Sequence, residues 1–317
     1  GGVSRPLARE DHEKIKEFVP GLIAFGELGL KLFEDLVLKN KTYLDLILGD
    51  SFELVTNYMG LVDDRNRVTF YDGTVRVVDP DGDEIDRYRE NEYLDHIAEH
   101  VEPYSYLKFP YLKKLGWQGF KEGKGTSIYQ AAPLARLNAA SGMATPKAQE
   151  AYEKMYATFG GKPVHKLMAH HWARLIELLY AAERLAELMK DPEILDPNVR
   201  VIPSTTPSEG VGIVEAPRGT LTHHFVTDER GIVTRANLIV GTTNNNAPIS
   251  MAVKRAAQKF IGAGGEATNG LLNMVEMAFR IFDPCFSCAT HSLPGQMPLA
   301  IELKNGAGET IRTISRS

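Results

Sequence analysis

The sequence predicts an α+β fold that is predominantly helical and carries small β-hairpins. Apolar residues at helical spacing recur along much of the 317-residue chain. Between these stretches, short β-branched runs flank turn residues such as Asp72-Gly73, which is a strong hairpin pattern. A chain of this length buries a large core, either as one big domain or as two smaller ones.

Three helices are predicted near the start of the chain. Residues 7–19 form the first, and Pro20 is expected to end it because proline breaks the helical hydrogen-bond ladder. Residues 21–39 form the second, with apolar residues at helical spacing that glycines at 26 and 29 interrupt. Residues 41–49 are predicted to add a short third helix.

After the third predicted helix, the spacing of the apolar residues is no longer helical, which indicates β-structure. Residues 67–71 and 74–78 are predicted to pair as a hairpin around Asp72-Gly73. The next turn, residues 79–82, is acidic but lacks the distal glutamate of a complete calcium loop, which favours a solvated turn over a metal site.

Residues 90–101 are predicted to be helical, and an aromatic run at 104–111 to be extended. Residues 147–159 and 165–190 are predicted as helices, and Pro192 blocks continuation of the second. Three histidines lie at the start of that second helix: His165, His170 and His171. Adjacent helical positions do not share a face, so we expect these histidines to be structural rather than metal-binding.

The last third of the chain is predicted to mix loops, strands and helices. Residues 203–224 are rich in Pro, Gly, Ser and Thr, which favours an irregular functional loop. The remaining predictions are strands at 224–227 and 232–240 around a turn at 228–231, a polar loop at 242–246, and helices at 249–260 and 268–282. A glycine-rich break at 262–265 fits neither a P-loop nor G-x-G-x-x-G, so we interpret it as a flexible connection.

Composition narrows the functional classes. A formal charge of −5 without a basic block argues against a nucleic-acid partner, and it favours core packing for the aromatic run at 104–111. No apolar run reaches transmembrane length. Two cysteines do not make a disulfide framework in a chain of this length, which fits a reducing, cytoplasmic location.

The two cysteines stand together as Cys285-x-x-Cys288, followed by His291. This spacing lets two thiolates reach one metal ion from a single turn. A structural zinc site usually requires a second pair of ligands, and a thioredoxin-like redox pair belongs near the start of a chain. Spacing alone leaves two alternatives open: a metal site of one kind or another, and two buried cysteines that act as small apolar residues.

Three motifs, in order along the chain, resemble those of NiFe hydrogenase large subunits. They are Glu215-Ala216-Pro217-Arg218-Gly219, Val240-Gly241-Thr242-Thr243-Asn244, and Asp283-Pro284-Cys285-x-x-Cys288-x-x-His291. Pro133-Leu134-Ala135-Arg136 resembles a further family stretch, to which we assign no chemistry. The similarity is greatest to the cytoplasmic, multi-subunit branch with NAD(P)-linked and heterodisulfide-reductase-linked enzymes. It implies one large interlocked helical domain with small β-hairpins.

The resemblance implies a catalytic subunit that oxidises or produces H2 at a nickel–iron centre. Cys285 would be a terminal nickel ligand and Cys288 a nickel–iron bridge, with cyanide and carbon monoxide on the iron. His291 would bind a magnesium or similar ion, together with the backbone carbonyl of Leu238.

The same resemblance assigns roles to polar residues around the metals. Arg218 would lie over them and polarise bound hydrogen, since a guanidinium stays charged and offers five donors. Asp283 would pair with Arg218 and fix its orientation, and Pro217 would rigidify the turn. Thr242 would offer its hydroxyl to a cyanide ligand.

The family's first cysteine pair, R-x-C-G-x-C, is absent from this sequence. Residues 1–291 are therefore expected to be the C-terminal portion of a large subunit, and residues 292–317 an extension removed by a maturation endopeptidase after nickel insertion by other proteins. Implied partners are an iron–sulfur small subunit, together with further electron-transfer subunits of the NAD/flavin or heterodisulfide reductase type. The chain has too few cysteines for iron–sulfur clusters and no dinucleotide fingerprint.

Two alternatives remain. One is an inactive molecule: an unprocessed precursor or fragment, or a structural module like the quinone-binding subunit of complex I, which lacks the metal cysteines. The other is a chain that binds zinc adventitiously through Cys285, Cys288 and His291.

Overall fold

The computed structural model describes residues 5–200, 202, 204–261, 268–290 and 300–315. Its α-helices are α1 (Arg9–Phe33), α2 (Lys41–Leu48), α3 (Tyr93–His96), α4 (Pro133–Ala139), α5 (Pro146–Phe159), α6 (Ala169–Leu188), α7 (Gly241–Asn244), α8 (Asn246–Phe260), α9 (Asn269–Arg280) and α10 (Phe286–Thr290). Its strands are β1 (Asn57–Val62), β2 (Thr74–Val78), β3 (Glu84–Tyr88), β4 (Ile97–Val101), β5 (Lys108–Leu112), β6 (Tyr129–Gln130), β7 (Glu209–Ala216), β8 (Gly219–Thr227), β9 (Val233–Ile239), β10 (Ala300–Lys304) and β11 (Thr310–Ser315). The α+β class is confirmed.

Four small sheets accompany the helices. The first has the order β3-β2-β1-β6, with β1 and β6 parallel and the other neighbours antiparallel. The antiparallel pairs β4-β5 and β10-β11 form two further sheets, and β7-β8-β9 form the fourth. Among the described residues, no helix is long and apolar enough to cross a membrane.

The helix α1 corrects the prediction that Pro20 separates two helices at 7–19 and 21–39. One helix runs from Arg9 to Phe33 with Pro20 inside it, and a π-turn follows. Proline removes one hydrogen bond, but packing against α6 supports the helix on both sides of it. A Cβ added at Gly26 would lie 3.2 Å from the Leu179 Cα, so the glycines that weaken the helical pattern allow this close approach.

The predicted hairpin at 67–71 and 74–78 is wrong in its first strand. The strand β2 pairs instead with β1, whose six residues are all buried. A strand that is buried on both faces does not alternate polar and apolar residues, so the sequence pattern did not identify β1 as a strand. Residues 67–71 form only isolated bridges, through Arg67 and Val68.

The prediction of a helix at 90–101 is also wrong. Short helical turns over 90–96 lead into β4, which pairs with β5. That pairing partly confirms the extended segment expected at 104–111. The irregular loop expected at 203–224 is instead the hairpin of β7 and β8, and the polar loop expected at 242–246 is helical, as α7 and the start of α8.

Helices α2, α5, α6, α8 and α9 agree with the sequence-based predictions, as do β9 and the turn before it. Buried aromatic and aliphatic side chains of α4, α5 and α6, such as Leu134, Tyr152 and Trp172, form one core cluster. A second cluster, with Phe52, Phe109 and Phe282, supports α8 and α9. The predicted break at 262–265 lies outside the described residues.

Candidate functional site

The cysteine pair lies in a tight turn where α10 begins. Cys285 and Cys288 are joined as a disulfide, with their Cα atoms 5.3 Å apart. The Cys285 carbonyl accepts the Ala289 N–H at 3.0 Å, so this turn is helical. Cys285 is half-buried and Cys288 is exposed. The link joins neighbouring positions of one turn and is no framework between distant segments.

Asp283 turns the chain from α9 towards the cysteines. Its φ of 49° lies in the left-handed region, which non-glycine residues seldom adopt. The Arg218 Nε donates to the Asp283 backbone carbonyl at 2.5 Å and lies 3.5 Å from the Asp283 carboxylate. Arg218 therefore contacts both the main chain and the side chain of this corner.

Thr242 holds the cysteine turn from a second direction. Its buried hydroxyl oxygen accepts the Cys285 backbone N–H at 3.1 Å. The helix α7, which carries Thr242, lies close to the start of β8: a Cβ at Gly241 would be 2.9 Å from the Gly219 nitrogen. The hydroxyl proton of Thr242 is still able to donate to another group.

Arg218 and Pro217 form the two-residue turn between β7 and β8, since Ala216 pairs directly with Gly219. Gly219 has a φ of 145°, which favours glycine. The Asn245 side-chain amide donates to the Arg218 and Gly241 carbonyls, both at 2.9 Å. The turn is thus fixed to α7 and α8 by an amide side chain.

A buried arginine binds the backbone of the same turn. Arg136, on α4, is only 1% exposed and forms ion pairs with Glu177 and Glu215 at 2.6 and 2.9 Å. Its guanidinium also donates to the Ala216 carbonyl at 2.7 Å and the Pro217 carbonyl at 3.3 Å. Burial raises the pKa of Glu215, and Arg136 opposes that shift.

A second arginine lies behind the cysteine turn. The Nη2 of Arg174, on α6, donates to the Ile281 carbonyl at 2.5 Å. Burial lowers the pKa of Arg174, and Asp283 acts in the opposite direction. Arg174 and Arg218 thus place two guanidinium groups around the Asp283 corner.

The donor set suits a soft metal such as nickel. Both cysteines belong to one helical turn, and as thiolates they would be two soft donors able to share one ion. They provide a part of a thiolate site. Within the described ranges, the one cluster of three or more potential metal ligands lies elsewhere, at Asp79, Asp81 and Asp83.

That acidic cluster belongs to the turn between β2 and β3. The Lys124 Nζ lies 2.9 Å from Asp79, 2.6 Å from Asp81 and 3.5 Å from Asp83. The lysine ammonium therefore lies among the three carboxylates, where it neutralises part of their charge.

The other predicted residues are not brought to the cysteines by any described contact. Leu238 is half-buried on β9 and pairs with His223, while its expected co-ligand His291 lies outside the described residues. The buried His170 accepts the Leu134 N–H at 3.1 Å and contacts the Gln130 side chain at 3.2 Å, which supports a structural role. His165 and His171 have partners of their own, Tyr58 and Arg174 respectively.

Sequence reasoning missed Arg136 and Asn245. The stretch around Arg136 is a run of buried residues, Pro133–Ala139, in which a charged side chain is unusual. That mismatch was the available signal for a buried ion pair. Asn245 lies within a run of three asparagines, and nothing in the sequence distinguishes it from its neighbours.

Comparisons with known proteins agree with these motifs. The family model described as "Nickel-dependent hydrogenase" matches residues 37–291. An iron-sulfur subunit of the F420-non-reducing hydrogenase of Archaeoglobus profundus is 50% identical over 99% of this chain and 64% of its own length. The beta subunit of the NAD-reducing hydrogenase HoxS of Cupriavidus necator is 38% identical over 98% of this chain and 63% of its own length.

Solved structures give the same fold. A crystal structure of an NAD+-reducing NiFe hydrogenase in the H2-reduced state has a TM-score of 0.81 and 36% identity over 92% of this chain and 62% of that one. A NiFeSe hydrogenase from Dm. baculatum, at 18% identity and a TM-score of 0.60, is similar in fold alone. The chain thus spans a little under two thirds of these relatives.

Proposed function

We propose a catalytic role for this chain from one premise: it belongs to the nickel-dependent hydrogenase family. The proposed activity is reversible oxidation of H2 to protons and electrons, with this chain as part of the large subunit. One observation carries the proposal: three separate stretches meet at one corner, where Arg218 binds Asp283 and Thr242 binds the backbone of Cys285. Nickel and iron follow from the family.

In this proposal, Cys285 and Cys288 would hold the metals as thiolates, Cys285 as a terminal nickel ligand and Cys288 as a ligand shared by nickel and iron. When bound, the metals would supply the site for H2 and accept its electrons. Cyanide and carbon monoxide ligands on the iron are part of the same proposal. Thiolates suit this role because they are soft donors that also bridge two metals.

Arg218 is proposed to orient and polarise hydrogen beside the thiolates. A guanidinium offers a planar, cationic fork of donors, and 39% of the Arg218 side chain remains exposed for such a contact. The Asp283 carboxylate restricts the direction of that guanidinium, and Pro217 restricts the backbone before it. Thr242 accepts the Cys285 N–H, which leaves its own hydroxyl proton available to a cyanide nitrogen.

The remaining parts of the proposal concern assembly. We infer an iron–sulfur small subunit, together with further electron-transfer subunits of the NAD/flavin or heterodisulfide reductase type. That the relatives are named as subunits of an F420-non-reducing and of an NAD-reducing hydrogenase supports the presence of other subunits. A cytoplasmic location, nickel-insertion proteins, and cleavage of residues 292–317 by an endopeptidase follow the same resemblance. A magnesium or similar ion is proposed at His291 and the Leu238 carbonyl.

The test uses the enzyme assembled with its partner subunits, with intact mass and nickel and iron analysis beside H2-dependent dye reduction. Cys285→Ser should lose nickel. Arg218→Lys should retain both metals while kcat falls by about 10²–10³, the range for loss of one preorganised donor. Arg230→Lys is the matched control, because Arg230 pairs with Asp228 in the turn between β8 and β9.

Two outcomes would contradict the proposal. If Arg218→Lys keeps both metals and full activity, Arg218 has no catalytic role. If the wild-type chain contains zinc without nickel or iron, the cysteine pair is a default thiolate site and the chain is an inactive module.

A further inference from the structure

We propose that Arg136 is a positioning residue for Arg218, acting through a buried clamp that Arg136 forms with Glu177 and Glu215. The clamp holds the Pro217-Arg218 turn and so sets where the exposed guanidinium lies relative to the cysteines. This inference rests on the proposed function of Arg218, and it goes beyond that function by naming what holds the arginine in place.

The contacts of Arg136 use all three guanidinium nitrogens. Nε and Nη2 donate to the two carboxylate oxygens of Glu177 at 2.7 and 2.6 Å, which is a bidentate pair. Nη1 donates to Glu215 at 2.9 Å and to the Ala216 carbonyl at 2.7 Å, and Nη2 reaches the Pro217 carbonyl at 3.3 Å. Arg136 therefore binds the main chain of both residues that precede Arg218.

The clamp connects the turn to rigid elements. The helix α4 crosses β1 at Gly60, where an added Cβ would lie 2.8 Å from the Arg136 Cα. Glu177 belongs to α6, a twenty-residue helix. The second oxygen of Glu215 accepts the Leu61 N–H at 2.8 Å and the Thr220 hydroxyl at 3.0 Å. A shift of Arg136 would therefore displace the turn relative to α6 and β1.

Electrostatics keeps the guanidinium of Arg136 charged. Burial alone would lower the pKa of Arg136, but Glu177 and Glu215 outweigh burial and raise it above its ordinary value. A lysine at this position offers one ammonium instead of a planar fork, so it cannot reproduce the bidentate pair and the carbonyl contacts together. The site thus requires an arginine for its shape as well as for its charge.

Arg218 depends on this support because, among the described residues, Asp283 is the one partner that its side chain is shown to bind. Its guanidinium contacts the carbonyl and the carboxylate of Asp283, and both groups of Asp283 lie at an exposed corner. Misplacement of a reacting group by about 1 Å can lower a rate about 10²-fold. The buried clamp therefore matters for the rate more than its distance from the cysteines suggests.

The experiment compares two buried carboxylates of the same helix. Glu177 and Glu183 lie on α6, and each is 7% exposed. Glu183 caps α5 instead, accepting the Thr145 hydroxyl at 2.5 Å and the N–H groups of Lys147 and Ala148 at 3.0 and 2.9 Å. Glu183→Gln is thus the matched control for Glu177→Gln, with Arg136→Lys as the second test variant.

In the assembled enzyme, Glu177→Gln and Arg136→Lys should lower kcat by at least about 10-fold, in line with a misplaced donor, while KM for H2 changes less than about twofold. Amide hydrogen exchange of Arg218 and Gly219 should become faster in both. Glu183→Gln should lower the melting temperature but leave kcat and these two amides unchanged.

A double variant identifies the route of the effect. In an Arg218→Lys background, Glu177→Gln should cause no further loss of kcat, because it acts through Arg218. An equal loss in both backgrounds would overturn the inference, as would unchanged exchange at Arg218 and Gly219. If Arg218→Lys alone leaves the rate unchanged, the proposed function fails, and the exchange measurement still decides whether the clamp holds the turn.

Discussion

Gly219 is the position where a single methyl group should have the largest effect on the site. Its φ of 145° is a conformation that residues with a side chain rarely adopt. A Cβ there would lie 2.5 Å from the Ala131 carbonyl oxygen and 2.9 Å from the Gly241 carbonyl oxygen. Both neighbours are main-chain atoms, which cannot move aside as the end of a flexible side chain would. We therefore expect Gly219→Ala to be strongly destabilising.

The magnitude has two contributions. Holding a non-glycine residue in this backbone region costs roughly 1–3 kcal/mol. Overpacking against two fixed oxygens adds about 1–3 kcal/mol. The sum is about 2–6 kcal/mol of lost unfolding free energy. With an unfolding entropy of about 2.1 cal/mol/K per residue, this corresponds to a fall in melting temperature of roughly 3–9 °C for a chain of 317 residues.

The assay is urea unfolding of the variant and of a matched control, Gly212→Ala. Gly212 lies in the same hairpin, on β7, and an added Cβ there meets nothing within 4 Å. The control should stay within about 0.5 kcal/mol of the wild type, as surface substitutions usually do. If Gly219→Ala loses no more stability than Gly212→Ala, then the close approach of the turn to α7 is wrong.

Two further predictions test the helical part of the fold. Gly21→Ala, where the added Cβ meets nothing within 4 Å, should raise the unfolding free energy by about 0.5–1 kcal/mol. Gly26→Val should lower the unfolding free energy by about 1–3 kcal/mol, because the Leu179 backbone lies 3.2 Å from the added Cβ. If thermal unfolding shows equal effects for Gly21→Ala and Gly26→Val, the α1–α6 contact is refuted. Burial holds the pKa of His170 well below 6.5, so the unfolded chain takes up a proton first and stability is lost as the pH falls below 6.5. His170→Gln should reduce that loss between pH 6.5 and 4.5 in urea titrations, and an unchanged pH dependence would exclude His170 as the responsible group.

The sequence predicted the elements whose stability is mostly local. Helices α5, α6 and α9 have apolar residues at helical spacing, and that spacing is itself the cause of their burial. Pro20 misled the prediction because its effect on α1 is local, whereas the contact at Gly26 that supports the helix involves Leu179, far along the chain. Propensity was thus outweighed by tertiary packing.

The strands were harder to predict because pairing decides them. The hairpin of β7 and β8 contains Gly210 and Gly212, which are poor strand formers, and its composition favoured a loop. Pairing of β8 with both β7 and β9 makes the segment a strand regardless. Residues 97–101 likewise follow a helical turn and become a strand only through β5.

The residues of the candidate site also differ in whether the sequence could identify them. Cys285, Thr242, Arg218 and Asp283 were identified from motifs, and the described contacts bring them together. Arg136 was assigned no chemistry, because its importance depends on Glu215, 79 residues away. Short motifs contain the groups proposed to react, whereas the groups that hold them are scattered among buried positions.

The Arg218 turn and the cysteine turn are held by different sets of residues. The Arg218 turn is held by Arg136 and Asn245, while the cysteine turn is held by Thr242 and by Arg218 itself. The two turns contact each other through Arg218 and Asp283, and both are also held from α7, by Thr242 and by Asn245 at its C-terminal end. Where α7 meets β8, the backbones of Gly219 and Gly241 approach so closely that neither tolerates a Cβ. The close approach that these glycines allow therefore sets how the Arg218 turn lies against α7, the helix whose Thr242 hydroxyl holds Cys285. The proposed chemistry requires such relative positions to be constant.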